Sequence, residues 1–257
     1  MVTADVAVAR ERTGYFYVWM AGVCAAIAFG AFAPTYWLQL PAATFVGAPL
    51  LHVHAGLFSA WTLLLLSQTW LAANGRLEHH KAWGLAGISL ASLMVVVGLA
   101  VAILRVRDGL AHGYGDAVLA FFILPFSGIA MFAAFFGAAV ANIARPEVHK
   151  RLVLLATIAL LEAAMARVFF VIATGGGPGM RPGLGPPPSV AMAILPSLLL
   201  VALIAAGMVR DWRVRGRPHS VWMIGGAIYV AVVLLRVPFS ATPAWLNFTS
   251  ALVHIAG

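Results

Sequence analysis

Histidine is the residue type with the widest chemical reach in this chain. Eight occur, at His52, His54, His79, His80, His112, His149, His219 and His254. A neutral imidazole can give one ring nitrogen to a metal or a haem iron while the other donates a hydrogen bond. Three further residues stand out because they interrupt apolar runs: Glu162, Arg167 and Arg236. A charge in the hydrocarbon zone costs roughly 2.5–3.5 kcal/mol on insertion scales, so each should face protein, water or a cofactor. The single cysteine, Cys24, allows neither an internal disulfide nor a cysteine metal cluster. No G-x-S-x-G elbow, H-E-x-x-H helix or Walker loop occurs, which argues against hydrolase and nucleotide chemistry.

The elements that position these residues follow from composition. Of 257 residues, 63% are hydrophobic and only 9% charged, with a mean hydropathy of +0.97. A soluble globule needs about a quarter of its residues charged, so the chain reads as an all-α polytopic membrane bundle in a lipid bilayer. Seven runs reach the length of about 20 residues that a span requires. They lie at about 15–37, 51–73, 83–104, 117–143, 152–174, 190–209 and 221–238. The chain reads as one integral-membrane domain over 1–257, with an apolar tail at 244–257 that is too short to cross and is expected to lie at the interface or to re-enter. The insert Gly175 to Pro188 is rich in Gly and Pro and reads as a loop. Ala31-Phe32-Ala33 imitates a signal-cleavage site, but the run is long for a signal peptide and reads as a retained helix.

Basic residues set the expected orientation. With the N-terminus cytoplasmic, eleven fall on the inner side: Arg10, Arg12, Arg76, Lys81, Arg145, Lys150, Arg151, Arg210, Arg213, Arg215 and Arg217. Only Arg105, Arg107 and Arg181 fall on the other. That bias predicts a cytoplasmic N-terminus, an external C-terminus and a bacterial inner membrane. The formal charge of +8 is accounted for by loops facing anionic lipid. No basic run is interleaved with aromatics, so no nucleic-acid partner is expected.

Helical spacing then groups the chemistry. His54, Trp61 and Gln68 recur every seven residues and share a face of the second span. His52 projects about 200° away, so one of the two histidines is expected inside, and His54 has the better-marked polar stripe. Arg167 follows His149 by five whole turns on one face, roughly 27 Å further along, with Ala156 and Ala163 between them. Glu162 lies about 140° from Arg167, which argues against their pairing. Asp116 is the expected N-cap of the fourth span. His54 with His112 at one boundary, and His80 with His149 at the other, form two pairs on alternate spans. That order suits bis-histidine ligation of haem b, with Arg167 and Arg236 neutralising propionates and Gln68 nearby.

The segment from His54 to Gln68, followed by His80-Lys81-Ala82-Trp83-Gly84, is similar to a broad family of uncharacterised bacterial multi-pass membrane proteins with an H-[KR]-x-x-G turn. His149-Lys150-Arg151-Leu152 with Arg167 resembles that family's second signature, an H-[KR]-[KR] helix start with an arginine five turns on. The resemblance spans roughly residues 50–170. It implies a shared fold and marks His54, Gln68, His80, Gly84, His149 and Arg167, without implying an activity. More distantly, the order of histidines resembles di-haem transmembrane cytochromes, in which alternate helices supply the ligands.

Three functions remain open. One is a haem-linked electron-transfer or quinone-linked redox protein with a redox partner. Another is a non-haem site for copper, zinc or iron, using His52, His54, His80 and His149. The third is an assembly factor or small-molecule carrier in which Glu162 couples protons. Small residues such as Gly84 and Gly87, or Gly225 and Gly226, permit close helix packing within the chain or in a homo-oligomer.

Overall fold

The computed structural model describes residues 2–175 and 185–255, with side chains from residue 15 onward, except those of 176–184. Most of the Gly/Pro insert therefore lies outside the described residues. The described residues are mostly helical and contain no strand. In hydrocarbon a helix satisfies every backbone group within itself, so apolar runs of this length have little alternative.

Helix α1 (Val2–Phe32) continues into a π-helical turn at Ala33–Trp37, and α2 (Pro49–Ala73) and α3 (Leu77–Ala111) follow. Helices α4 (Asp116–Phe121) and α5 (Ile123–Ala141) form one interrupted span, and α6 (Pro146–Thr174) the next. A 3-10 turn at Val190–Ala193, α7 (Ile194–Leu199) and α8 (Val201–Arg215) make the sixth span, α9 (Ser220–Ser240) the seventh, and α10 (Pro243–Ile255) ends the described chain. Seven of these stretches are long and apolar enough to cross a membrane. The protein is a multi-pass membrane helix bundle.

Two breaks have identifiable causes. Pro34 lacks an N–H, and the backbone widens there, with Leu38 N–H donating to Ala33 O at 2.9 Å, five residues back. Helix α4 stops at Phe121, the residue whose carbonyl an α-helical N–H at position 125 would have used. Residue 125 is proline. Asp116, expected as an N-cap, is the first residue of α4, and Gly115 occupies the cap at φ +54°, where a side chain would be strained.

Two helices outrun their apolar cores. Helix α3 has 35 residues, about 52 Å of rise, against a hydrocarbon thickness of about 30 Å. It begins six residues before the expected 83 and carries His80 in its first turn. Helix α6 begins at Pro146, not at 152, and so takes in His149 and Arg151. Hydropathy marks only the part of a helix that lies in lipid. Pro146 at the first helical position starts the rest.

Helices α1, α2, α3, α5 and α6 pack side by side, and α6 returns to α1, closing a five-helix ring. Helices α7 and α9 pack against α6 from outside that ring, and α8 against α9. The C-terminal tail packs on the bundle: α10 lies on α4, α3 and α9. Its Trp245 is buried and donates Nε1–H to Leu119 O at 3.0 Å, a carbonyl just before the α4–α5 break.

One end of the bundle carries most of the basic residues and is tied by ion pairs. Arg151, fully buried, grips the equally buried Asp211 of α8 through Nε and Nη2 at 2.8 and 2.6 Å. Such fork contacts suit the planar guanidinium. Glu147 bonds to Arg151 at 2.8 Å and to Arg215 at 3.1 Å, and so joins α6 to the end of α8. The His219 imidazole, held below its ordinary pKa by burial and by the Arg151 charge, keeps Nδ1 free to accept the Val221 N–H at 3.2 Å and cap α9.

Close packing of α8 on α9 depends on Gly207, where a Cβ would come within 2.5 Å of the Trp222 ring, itself fully buried. Gly207→Ala is expected to destabilise the protein by about 1–3 kcal/mol through overpacking. Gly137→Ala, at a helical position with nothing within 4 Å, is expected to be neutral or to stabilise by up to about 1 kcal/mol. Thermal unfolding in a neutral detergent measures both, and equal melting temperatures for the two variants would refute the packing assignment.

Candidate functional site

The interior of the five-helix ring is organised around one mid-depth contact. Trp61 of α2, 4% exposed, donates Nε1–H to Thr157 Oγ1 of α6 at 3.2 Å. Thr157 in turn donates to Val153 O at 3.1 Å. The indole stands edge-on to Phe132 and Phe136 of α5, with centroids at 5.0 and 5.1 Å.

That contact fixes the register of two antiparallel helices. On α2, His54 and Gln68 lie seven residues either side of Trp61, about 10 Å each way. On α6, His149 lies eight residues before Thr157 and Arg167 ten after, about 12 and 15 Å. His149 and Gln68 therefore share the arginine-rich end, and Arg167 and His54 the opposite one.

At the arginine-rich end, His80 of α3 and His149 of α6 face each other. Their ring centroids are 6.4 Å apart and their planes nearly perpendicular, at 86°. Both Nδ1 atoms are committed to backbone carbonyls near helix C-termini: His80 to Gln68 O at 3.3 Å, His149 to Ala139 O at 2.9 Å. An imidazole so anchored has Nδ1 as its N–H and Nε2 as its lone pair, and neither Nε2 has a hydrogen-bond partner among the described residues. Beside them Gln68 Nε2 is buried without a partner. With a metal–nitrogen distance of about 2.0 Å, two imidazoles sharing one ion in trans would have centroids slightly over about 6 Å apart. His79 is exposed and apart from this pair.

The opposite end does not repeat the arrangement. His112 caps α3, bonds to Asp108 O at 2.7 Å, stacks on Tyr114 and is exposed. It makes no contact with His54, which packs on Phe58 with centroids at 4.1 Å and has Nδ1 buried without a partner. His52 is exposed and hydrogen-bonds to the Tyr36 hydroxyl at 2.9 Å, beside Phe45. So His54 is the inward member of that pair, as the stripe with Trp61 and Gln68 implies. Arg167 lies against the neighbouring α1, its guanidinium 5.4 Å from the Phe32 ring centroid.

Glu162 and Arg236 are accounted for by each other. Arg236 Nη1 donates to Glu162 Oε2 at 2.5 Å and to Ser127 Oγ at 3.2 Å, and Nη2 to Ser197 Oγ at 2.8 Å. Tyr229 OH donates to Ser197 O at 3.0 Å. This buried cluster joins α5, α6, α7 and α9, and Arg236 is 4% exposed, so it neither snorkels nor reaches a cofactor at the histidines. Sequence reasoning missed its hydroxyls, as it missed the Arg151–Asp211 pair. A serine in an apolar run carries no sign of which way it points, and Asp211 sits among loop-end arginines that suggest a solvated position.

No family model, curated protein or solved structure matches the chain. Among the described residues no group of three or more His, Cys, Asp or Glu side chains is placed to hold a metal ion.

Removing one member of the Glu162–Arg236 pair should be far worse than removing both. Glu162→Gln is expected to cost about 3–5 kcal/mol, because Arg236 is left buried without its counter-ion, while Glu162→Gln with Arg236→Met recovers most of that loss. Chemical denaturation of the two variants decides it, and additive losses would show that the groups act separately.

Proposed function

We propose that the protein is a membrane redox protein that holds one b-type haem between His80 and His149. The observation that carries this reading is the perpendicular imidazole pair at 6.4 Å, each ring anchored through Nδ1 with Nε2 uncommitted. Two axial imidazoles are a complete protein set for an iron that brings its own equatorial nitrogens, whereas a structural zinc takes four protein ligands. Helices α3 and α6 are separated in the ring by α5 on one side and by α1 and α2 on the other, so the two imidazoles come together from helices that are not neighbours. The buried amide of Gln68 supplies a donor at its edge. His112, held by Asp108 and Tyr114, is not a ligand in this reading, so a second haem of the di-haem pattern is not part of it.

Trp61, with Phe132 and Phe136, lies between that centre and the opposite end and gives an aromatic route for electrons toward a quinone or a redox partner. The bias of basic residues supports a cytoplasmic N-terminus, the haem near the inner face of a bacterial plasma membrane, and an external C-terminus. The resemblance to the bacterial membrane family rests on His54, Gln68, His80, Gly84, His149 and Arg167.

Reduced-minus-oxidised absorption spectra of protein purified from haem-replete cells test the centre. The expected result is Soret and alpha bands in the wild type and in His112→Ala, lost in His80→Ala and His149→Ala. Stoichiometric copper or zinc without porphyrin, or no chromophore at all, would overturn the haem reading. Orientation is checked separately: a C-terminal alkaline phosphatase fusion should be active and a C-terminal green fluorescent protein fusion dark, and the reverse would invert the topology.

A further inference from the structure

We infer that the end of the bundle opposite His80 and His149 holds a separate binding site for an oxyanion, with Arg167 as its principal residue. Arg167 sits inside a membrane span and is half-buried, yet none of the ion pairs among the described residues involves it. Its neighbours are the Phe32 ring on α1 and the charge of Arg105 on α3. Helices α1 and α6 are neighbours in the ring, so the guanidinium lies at their junction, within electrostatic reach of Arg105 on α3. Helix α2 lies between α1 and α3, and its inward face at this depth carries His54, whose Nδ1 is buried without a hydrogen-bond partner.

No acid among the described residues pairs with Arg167. Arg105 is paired with Asp108 at 3.2 Å, and the buried carboxylate of Glu162 is committed to Arg236 on the other side of α6. Arg167 is thus a positive charge within a membrane span with no acidic partner among the described residues, at the same end of the bundle as His54, which has one unused ring nitrogen. A guanidinium fork accepts two oxygens of a carboxylate or phosphate, and the imidazole nitrogen takes a third polar contact. Ala163, exposed one turn before Arg167 on the same face, leaves that approach clear of side chains. The chemistry fits a singly charged oxyanion, whether free or on a lipid headgroup. This site does not depend on a haem at the other end.

The test is ligand-dependent thermal stability at constant ionic strength, with chloride as the reference salt. Protein in neutral detergent is titrated with inorganic phosphate and with acetate; in nanodiscs, phosphatidylglycerol is compared with phosphatidylcholine. Stabilisation by phosphate or acetate that weakens at least tenfold in Arg167→Gln supports a free oxyanion. Stabilisation by phosphatidylglycerol alone, lost in the same variant, supports a lipid headgroup. If Arg167→Gln does not fold, Arg167→Lys is read instead, since it keeps the charge but loses the fork, and a several-fold weakening is expected. Gly137→Ala, which lies outside both sites, should leave the stabilisation unchanged. No stabilisation by any of these probes, stabilisation undiminished in the Arg167 variants, or stabilisation lost in Gly137→Ala would overturn the proposal.

Discussion

The hydrogen bond from Trp61 to Thr157 sets the positions on which the other interior groups depend. It joins helices α2 and α6, which are not neighbours in the ring, and it does so at mid-depth, where water cannot compete for either group. Once those two residues meet, heptad spacing on α2 and whole turns on α6 leave little freedom. His54 and Arg167 must lie on one side of the contact, and Gln68 and His149 on the other. The edge-on packing of Trp61 against Phe132 and Phe136 ties α5 to the same level. Polar chemistry is thereby confined to two zones separated by an aromatic layer.

Charge is scarce in this chain, and nearly every buried charge is used to hold helices together. Arg151 with Asp211 fastens α6 to α8, and Arg236 with Glu162 fastens α9 to α6. Between helices, lipid offers no hydrophobic driving force, so packing of small residues and polar contacts must supply association. The Gly207–Trp222 contact is an instance of the first, and the arginine pairs of the second. Against this background, His80 and His149 are unusual in standing close together with neither Nε2 hydrogen-bonded among the described residues, and Arg167 in having no acidic partner among them. Groups left over after the structural demands are met are where ligands are expected.

The number of spans, their approximate limits and the inward stripe of His54, Trp61 and Gln68 were legible from hydropathy and period alone, because both reflect a strong physical preference. The facing of His80 and His149 was also suggested by their places on alternate spans. The extent of α3 and α6 beyond the membrane was not, because hydropathy falls where a helix leaves lipid even when the helix continues. The symmetry that paired His54 with His112 misled: a histidine four residues after Asp108 can close onto its own helix end, and His112 does. The pairing of Arg236 with Glu162 was not legible, because the two lie 74 residues apart in sequence, a separation that no local spacing rule reaches. Docking of α10 on α4 depends on a carbonyl beside the α4–α5 break, which Pro125 hints at without saying what would fill it.

The central proposal is that two imidazoles with nearly perpendicular planes would share one haem iron at one end of this bundle. Low-temperature electron paramagnetic resonance of the oxidised protein addresses it most directly, since the relative orientation of two axial imidazole planes governs the anisotropy of a low-spin ferric signal. The account predicts a low-spin, strongly anisotropic signal of the perpendicular type, at one iron per chain, absent from His149→Ala. A high-spin signal, a rhombic signal of parallel rings that persists in His149→Ala, or no ferric signal in protein loaded with haem would contradict it.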